Sequence, residues 1–294
     1  MRVTGLGGGH GLAATLRAAR LYADDVSAVV TVADDGGSSG RLTRELGVPP
    51  PGDIRNCLVA LADDSRLADL YQHRFRTGAL EGHPVGNLLI AALAEMSGDF
   101  AAAVDEAGRL LQARGAVYPA TTELVTLRAR VRGAIVEGQA KVAKTEAPIE
   151  AVTLEPADPS AHPGAAEAIR RADQVVLGPG SLFTSIIATL CVPGISKALA
   201  ETSATRVFVC NARMQPGETQ GMNASAHLRA LLSHLDGGAL DVAVFQSPVR
   251  PDDGVEIDAE LTDANVRVVE ADVVDGEGVH DPDKLAAVLR ALAG

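Results

Sequence analysis

The apolar run from Val26 to Ala33 stops at two adjacent carboxylates, Asp34 and Asp35, and Gly36-Gly37-Ser38-Ser39-Gly40-Arg41 follows at once. Pro49-Pro50-Pro51-Gly52 and Asp53-Ile54-Arg55-Asn56 come next. No hydrophobic core requires that order. Acids, glycines, hydroxyls and arginines packed between a strand and a helix suit a phosphorylated, metal-associated ligand. The same grammar, a strand ending in a polar glycine-bearing loop before a helix, recurs along the chain and constrains the fold most. Arg2 to Leu6 runs into Gly7-Gly8-Gly9-His10-Gly11 and then Leu12 to Leu16 at helical spacing. Gln174 to Leu177 runs into Gly178-Pro179-Gly180-Ser181-Leu182-Phe183-Thr184-Ser185 and an apolar helix. Arg206 to Cys210 ends at Asn211, and the strand-like Leu240 to Phe245 and Val266 to Val269 precede a final helix, Asp283 to Leu292. At least five such strands imply an α/β, Rossmann-like fold, with a mostly parallel sheet flanked by helices. The loops then gather at the carboxyl edge of the sheet, where ligands bind at a topological switch point.

One stretch breaks the pattern. Between Thr122 and Glu155, strand-like alternation at Val125 to Val131, Ala134 to Val142 and Ile149 to Leu154 is interrupted by Arg132-Gly133 and by Thr145 to Pro148. It reads as a small antiparallel β insertion or sheet extension, at about residues 122–155, within a single domain spanning residues 1–294.

Each loop carries candidate ligand-binding residues. Gly7, Gly8, Gly9 and Gly11 let the backbone approach a phosphate, and the following helix offers unpaired N–H groups and a positive dipole end. His10 either donates to a phosphate or caps that helix. It stands where the dinucleotide fingerprint G-x-G-x-x-G, counted from Gly5 and Gly7, needs its third glycine, so a dinucleotide-dependent dehydrogenase is disfavoured. Asp34 and Asp35 suit a magnesium ligand or a base, beside an anion-binding nest at Gly37 and Ser38 with Arg41 as a phosphate clamp. Asp53 sits where an N-cap belongs before Ile54 to Leu61, and Arg55 and Asn56 fall in that first turn, where a cation is unfavourable unless an anion is near. Gly82-His83-Pro84-Val85-Gly86-Asn87 opens an apolar helix, Leu88 to Met96, expected to be buried, with Pro84 at its first position and Asn87 at its mouth. Ser181 can cap its helix while neighbouring amides at Gly180 face a phosphate.

Composition narrows the partners. Aromatics make up 3% of the chain, with no tryptophan, which supplies few stacking platforms for single-stranded nucleic acid. The net charge of −12 also argues against nucleic acid and anionic membrane. Fourteen acidic residues between Asp236 and Asp283, against Arg250 and Arg267, account for that whole excess, and the segment reads as a solvated face. Cys57, Cys191 and Cys210 form no CxxC pair, which disfavours a disulfide framework or a structural zinc site. No run of about eighteen apolar residues and no signal h-region is present, so no membrane insertion and a cytoplasmic location are expected.

Taken together, Gly7 to Gly11, Thr31 to Leu42, Pro50 to Asp63, Gly82 to Leu93, Leu177 to Ile187 and Gln215 to Thr219 closely resemble the YvcK-like gluconeogenesis factor family. That family lies within the superfamily that also holds the 2-phospho-L-lactate transferases (CofD). The resemblance implies a Rossmann-like fold, often dimeric or larger, in bacterial cytoplasm. It implies binding of UDP-sugars such as UDP-N-acetylglucosamine and an influence on cell shape, wall synthesis and gluconeogenic growth. The transferases instead move a phospholactyl or related group from a guanosine diphosphate donor to a deazaflavin alcohol, with magnesium. Carried over by motif, Gly7 to Gly11 and Gly180 to Thr184 would cradle the diphosphate, and Asn87 and Asn211 would contact nucleotide or sugar. Asp34 and Asp35 match the acidic pair that would be catalytic in a transferase. His10 and Met214 depart from the family wording, each standing where threonine is usual.

Overall fold

The computed structural model describes residues 1–63, 66–235, 240–263 and 266–293. Strand β1 (Arg2–Gly7) leads into α1 (Gly9–Ala19), and β2 (Asp25–Val30) leads into α2 (Gly37–Leu46) and α3 (Gly52–Leu61). Helices α4 (Arg66–Gln72), α5 (Val85–Ser97) and α6 (Phe100–Leu111) precede β3 (Ala116–Pro119). Next come β4 (Thr126–Val131), β5 (Ala134–Glu137), α7 (Gln139–Val142) and β6 (Ile149–Glu155). The chain continues through α8 (Pro163–Arg171), β7 (Gln174–Leu177), a π-helical segment Leu182–Ile187, α9 (Ala188–Leu190) and α10 (Pro193–Glu201). It closes with β8 (Thr205–Val209), α11 (Ala224–Leu232), β9 (Val242–Gln246), β10 (Arg267–Ala271) and α12 (Pro282–Ala291).

Seven strands form one sheet in the order β10-β9-β8-β7-β1-β2-β3, and every pairing in it is parallel. The chain winds outward in one direction from β1, returns to β7 beside it, and winds outward in the other. The switch point therefore lies between β1 and β7, as in doubly wound folds. Side chains alternate across the sheet. Leu6, Val29, Val175, Leu177, Phe208 and Phe245 point into one core layer with α8, α10 and α11. Val3, Val26, Val30, Val176, Val207 and Val244 point into the other with α1, α3, α6 and α12. Burial on both faces explains why the strands read as nearly continuous apolar runs.

The insertion is a separate three-stranded sheet, order β5-β4-β6, with antiparallel pairings. Its second run is shorter than the expected Ala134 to Val142. Gly138, at φ 98°, ends β5 and turns the chain into α7. Helix α5 also departs from expectation. It begins at Val85 with Pro84 as N-cap, and it packs on α6 with one side in solvent. Leu88, Leu89 and Leu93 are half-buried and Met96 is exposed. Most of the carboxylates expected on a solvated face are exposed, while Asp241 and Asp253 are half-buried in ion pairs with Arg206 and with Arg213 and Arg250. Asp236 lies outside the described residues.

The close approach at the switch point sets a test. A Cβ at Gly11 would lie 2.2 Å from the Pro179 carbonyl oxygen, whereas Gly9, at φ +64°, has nothing within 4 Å of that position. Gly11→Ala should therefore cost about 3 kcal/mol through overpacking, and Gly9→Ala only about 1 kcal/mol through its left-handed backbone. Urea denaturation of both variants measures this, and equal losses would contradict the packing described.

Candidate functional site

Strand β1 delivers its glycine loop to the switch point, and β7 delivers a second one beside it. Gly8 is the N-cap of α1 and supplies no side-chain oxygen, so the amides of the first turn await other acceptors. These residues, with Gly180, Ser181, Ser185, Asn211 and Gln215, line a cavity of about 340 Å³. His10 is exposed at its edge. Asn211, just past β8, pins the second loop: its Oδ1 accepts the Gly180 N–H at 3.0 Å and its Nδ2 donates to the Gly180 carbonyl at 2.7 Å. Ser181 stands at the N-cap of the π-helical segment, but its hydroxyl accepts from Gln215 Nε2 at 3.1 Å rather than capping the helix. The cap comes from Glu218, whose carboxylate accepts from the amides of Phe183 at 3.0 Å and Thr184 at 3.4 Å and from the Thr184 hydroxyl at 2.5 Å. Thr184 is thereby committed to a protein carboxylate.

The acidic pair divides. Asp34 turns inward, where its Oδ1 accepts the Gly36 N–H at 2.9 Å. Burial raises its carboxyl, opposed by hydrogen bonds from Gly36 and Ser39. Asp35 is exposed, and its Oδ1 accepts the Ala140 N–H at 2.8 Å, tying the loop to α7 of the insertion. The inner partner of Asp34 is Asp53. That residue is not the N-cap of α3; Pro51 holds that position, and Ser39 Oγ accepts the Gly52 N–H at 3.2 Å. With that first-turn amide occupied, the Asp53 carboxylate reaches the β1 loop and accepts the Gly9 N–H. Burial, and then the Asp34 charge, push the Asp53 carboxyl up to about 6, opposed by the Gly9 hydrogen bond and the Arg55 charge.

Behind Asp53 runs a buried polar network. Arg55 donates from Nη1 to Asn87 Oδ1 at 2.8 Å and from Nη2 to Asn56 Oδ1 at 2.7 Å, leaving its buried Nε unpartnered. Burial, and then the Arg74 charge, lower the guanidinium to about 10. Asn87 Nδ2 donates to Ser38 Oγ at 3.1 Å, and Ser38 Oγ lies 2.8 Å from His83 Nδ1. Burial and the neighbouring Arg41 charge lower the His83 imidazole. Gly86 allows this contact between helices, since a Cβ there would lie 2.8 Å from Arg55 Cγ. Arg41 is half-buried and donates to the Glu81 carbonyl at 2.8 Å, while Gly37, at φ +47°, is exposed at the start of α2.

Most of the expected residues thus fall into two adjoining groups. Gly8 to Gly11, Gly180, Ser181 and Asn211 share the cavity, while Gly7 ends β1 just before it and is not part of its lining. Arg55, Asn56, Asn87 and Ser38 form the network beside it, and Asp53, with Asp34 near it, stands between the two; Asp35, Gly37, Arg41 and Thr184 belong to neither group. Sequence reasoning missed Asp53 as that link, Glu218 as a helix cap, Gln215, and Val279 and His280, which the loop before α12 adds to the cavity. A larger cavity, about 660 Å³, lies near the ends of α2 and α5, but Glu45, Glu95 and Asp99 line it, a poor setting for an anion.

The raised Asp53 carboxyl has a consequence for stability. Unfolded, the group titrates near 4; folded, near 6, so its contribution is fully present below about pH 4 and is lost as pH rises through about 6. The unfolding free energy of the wild type should fall by about 2 kcal/mol relative to Asp53→Asn between pH 4 and 7. Paired denaturant titrations measure this, and a pH-independent difference would contradict it.

The family model described as 2-phospho-L-lactate transferase CofD matches residues 3–280. The gluconeogenesis factor of Halalkalibacterium halodurans is 44% identical over 247 residues, covering 83% of this chain and 77% of that protein. The gluconeogenesis factor of Bacillus subtilis is 43% identical over 270 residues, covering 91% of this chain and 84% of that protein. A crystal structure of a UPF0052 family member from Bacillus halodurans, 38% identical, superposes with a TM-score of 0.94 over 98% of each chain. Nearly full-length matches in both sequence and structure place this chain in the CofD family, among relatives named as gluconeogenesis factors.

Proposed function

We propose that the chain binds a nucleotide-diphosphate sugar, UDP-N-acetylglucosamine, and acts as a regulator linking carbon metabolism to peptidoglycan synthesis and cell shape. The observation that carries this reading is the pair of glycine loops, after β1 and β7, that meet in one cavity at the switch point. At such a place the start of α1, where the amides of His10 and Gly11 lie, is offered to a diphosphate. The names of the relatives support the metabolic side of the reading. Among the described residues no single helix is long and apolar enough to cross a membrane. Isothermal calorimetry should show binding of UDP-N-acetylglucosamine to the wild type. Asn211→Ala, which frees the Gly180 loop, should weaken it about tenfold. A wild type that binds no uridine nucleotide would overturn the reading.

A second reading, a magnesium-dependent phospholactyl-type transferase acting from a guanosine diphosphate donor, is favoured by one observation: two carboxylates, Asp34 and Asp53, lie near one another beside the β1 loop, and burial and the Asp34 charge push the Asp53 carboxyl up to about 6. A carboxyl with that pKa serves as a general base near neutral pH. With Asp53 kept as the base, Asp34 would hold a hydrated magnesium ion through its carboxylate. No cluster of three or more His, Cys, Asp or Glu is gathered among the described residues, so phosphate and water would complete its shell. Bound there, the ion would neutralise charge on the leaving diphosphate. Donor consumption with a deazaflavin acceptor and magnesium tests this. Turnover should drop at least about 100-fold in Asp53→Asn, and a flat wild-type time course would remove this reading.

A further inference from the structure

The acidic C-terminal segment, which reads in sequence as a solvated face, sends one loop into the cavity. Between β10 and α12, Asp275 N–H donates to the Val279 carbonyl at 2.8 Å and Asp281 N–H to the Val273 carbonyl at 2.9 Å. The Asp275 carboxylate accepts from the Val279 N–H at 2.9 Å. Gly278, at φ +76°, lies under Arg213 and Arg250, whose guanidinium nitrogens come within 2.6 and 2.8 Å of where a Cβ would stand. These contacts fix the loop and set His280 in the cavity wall with Gly8, Gly11 and Gly180.

The ring of His280 is oriented by a hydrogen bond to the Cys210 backbone. The Cys210 N–H already donates to the Val244 carbonyl at 3.0 Å, so the ring donates to the Cys210 carbonyl. Its Nε2 is buried and has no partner in the protein. Burial lowers the imidazole to about 4, which keeps it neutral near pH 7. A neutral ring that donates from one nitrogen presents a lone pair at the other. A lone pair repels a phosphate oxygen and pairs with an O–H or N–H group.

We infer that His280 Nε2 accepts a hydrogen bond from a hydroxyl or N–H on the organic part of the ligand, so the cavity selects an esterified diphosphate over the inorganic ion. This rests on the nucleotide-diphosphate reading above and assigns the residue that tells such a ligand from bare pyrophosphate. A buried polar atom left without its partner is the usual source of that kind of discrimination.

Calorimetry with UDP-N-acetylglucosamine and with inorganic pyrophosphate, on the wild type, His280→Ala and His280→Gln, tests it. His280→Ala should bind the nucleotide sugar about tenfold more weakly and pyrophosphate as the wild type does. His280→Gln, whose side-chain oxygen can stand near the Nε2 position, should recover most of the loss. If His280→Ala binds the nucleotide sugar as the wild type does, or loses both ligands equally, the assignment is overturned while the cavity's ligand class stands. A wild type that binds pyrophosphate but not the nucleotide sugar overturns the underlying reading instead. Should His280→Ala fail to fold, the Gln variant decides: wild-type preference for the nucleotide sugar upholds the assignment, and its loss in a folded protein overturns it.

Discussion

The approach of two backbones, Gly11 against Pro179, is the contact on which the arrangement of the site depends. Neighbouring parallel strands place their following loops side by side, but side chains normally hold those loops apart. Here the missing Cβ at Gly11 lets the Pro179 carbonyl oxygen come within 2.2 Å of where that atom would stand. Thr15, one turn along α1, secures the approach by donating from its hydroxyl to the Gly178 carbonyl at 2.6 Å. Asn211 brings in the loop after β8 through its two bonds to Gly180. Three consecutive strands of the sheet are thus joined at their carboxyl ends by polar contacts, and the cavity between them is preorganised.

Charge around this junction is arranged by burial. The chain carries a net charge of −12, yet the carboxylates near the cavity are individually constrained. Asp35 is spent on the Ala140 amide and ties the antiparallel insertion to the main sheet. Glu218 is spent on the start of the π-helical segment. Asp34 and Asp53 remain close together, each raised by burial, with Gly36 and Gly9 amides holding them. The Arg55–Asn87–Ser38–His83 network stands behind them, with Arg55 Nε as its one buried side-chain nitrogen or oxygen that lacks a partner among the described residues. Such a network fixes the positions of α2, α3 and α5 relative to the β1 loop.

Much of this was legible in the sequence, because strand, glycine loop and helix repeat with a clear period change and because glycine positions carry steric meaning. The parallel sheet and the convergence of Gly8 to Gly11 with Gly180 and Asn211 follow from that grammar, and the antiparallel insertion shows as the stretch of alternation that breaks it. What was not legible depends on tertiary competition for the same donors. Asp53 looked like an N-cap until Ser39, thirteen residues before Gly52, occupied the Gly52 amide. Thr184 looked free until Glu218, far along the chain, captured it. The apolar α5 looked buried on hydropathy alone, and only its packing on α6 shows that Met96 faces solvent. His280 is the single histidine in a stretch of carboxylates. That oddity was the one available signal that this loop does more than solubilise.

The central claim is that ligand binds where the β1 and β7 loops meet. Hydrogen exchange read by mass spectrometry, with and without saturating UDP-N-acetylglucosamine, locates the contact directly. Added protection is expected in peptides covering Gly8 to Leu12, Gly180 to Phe183 and Val279 to His280. Protection confined to the cavity bounded by Glu45, Glu95 and Asp99, or no change anywhere, would contradict it.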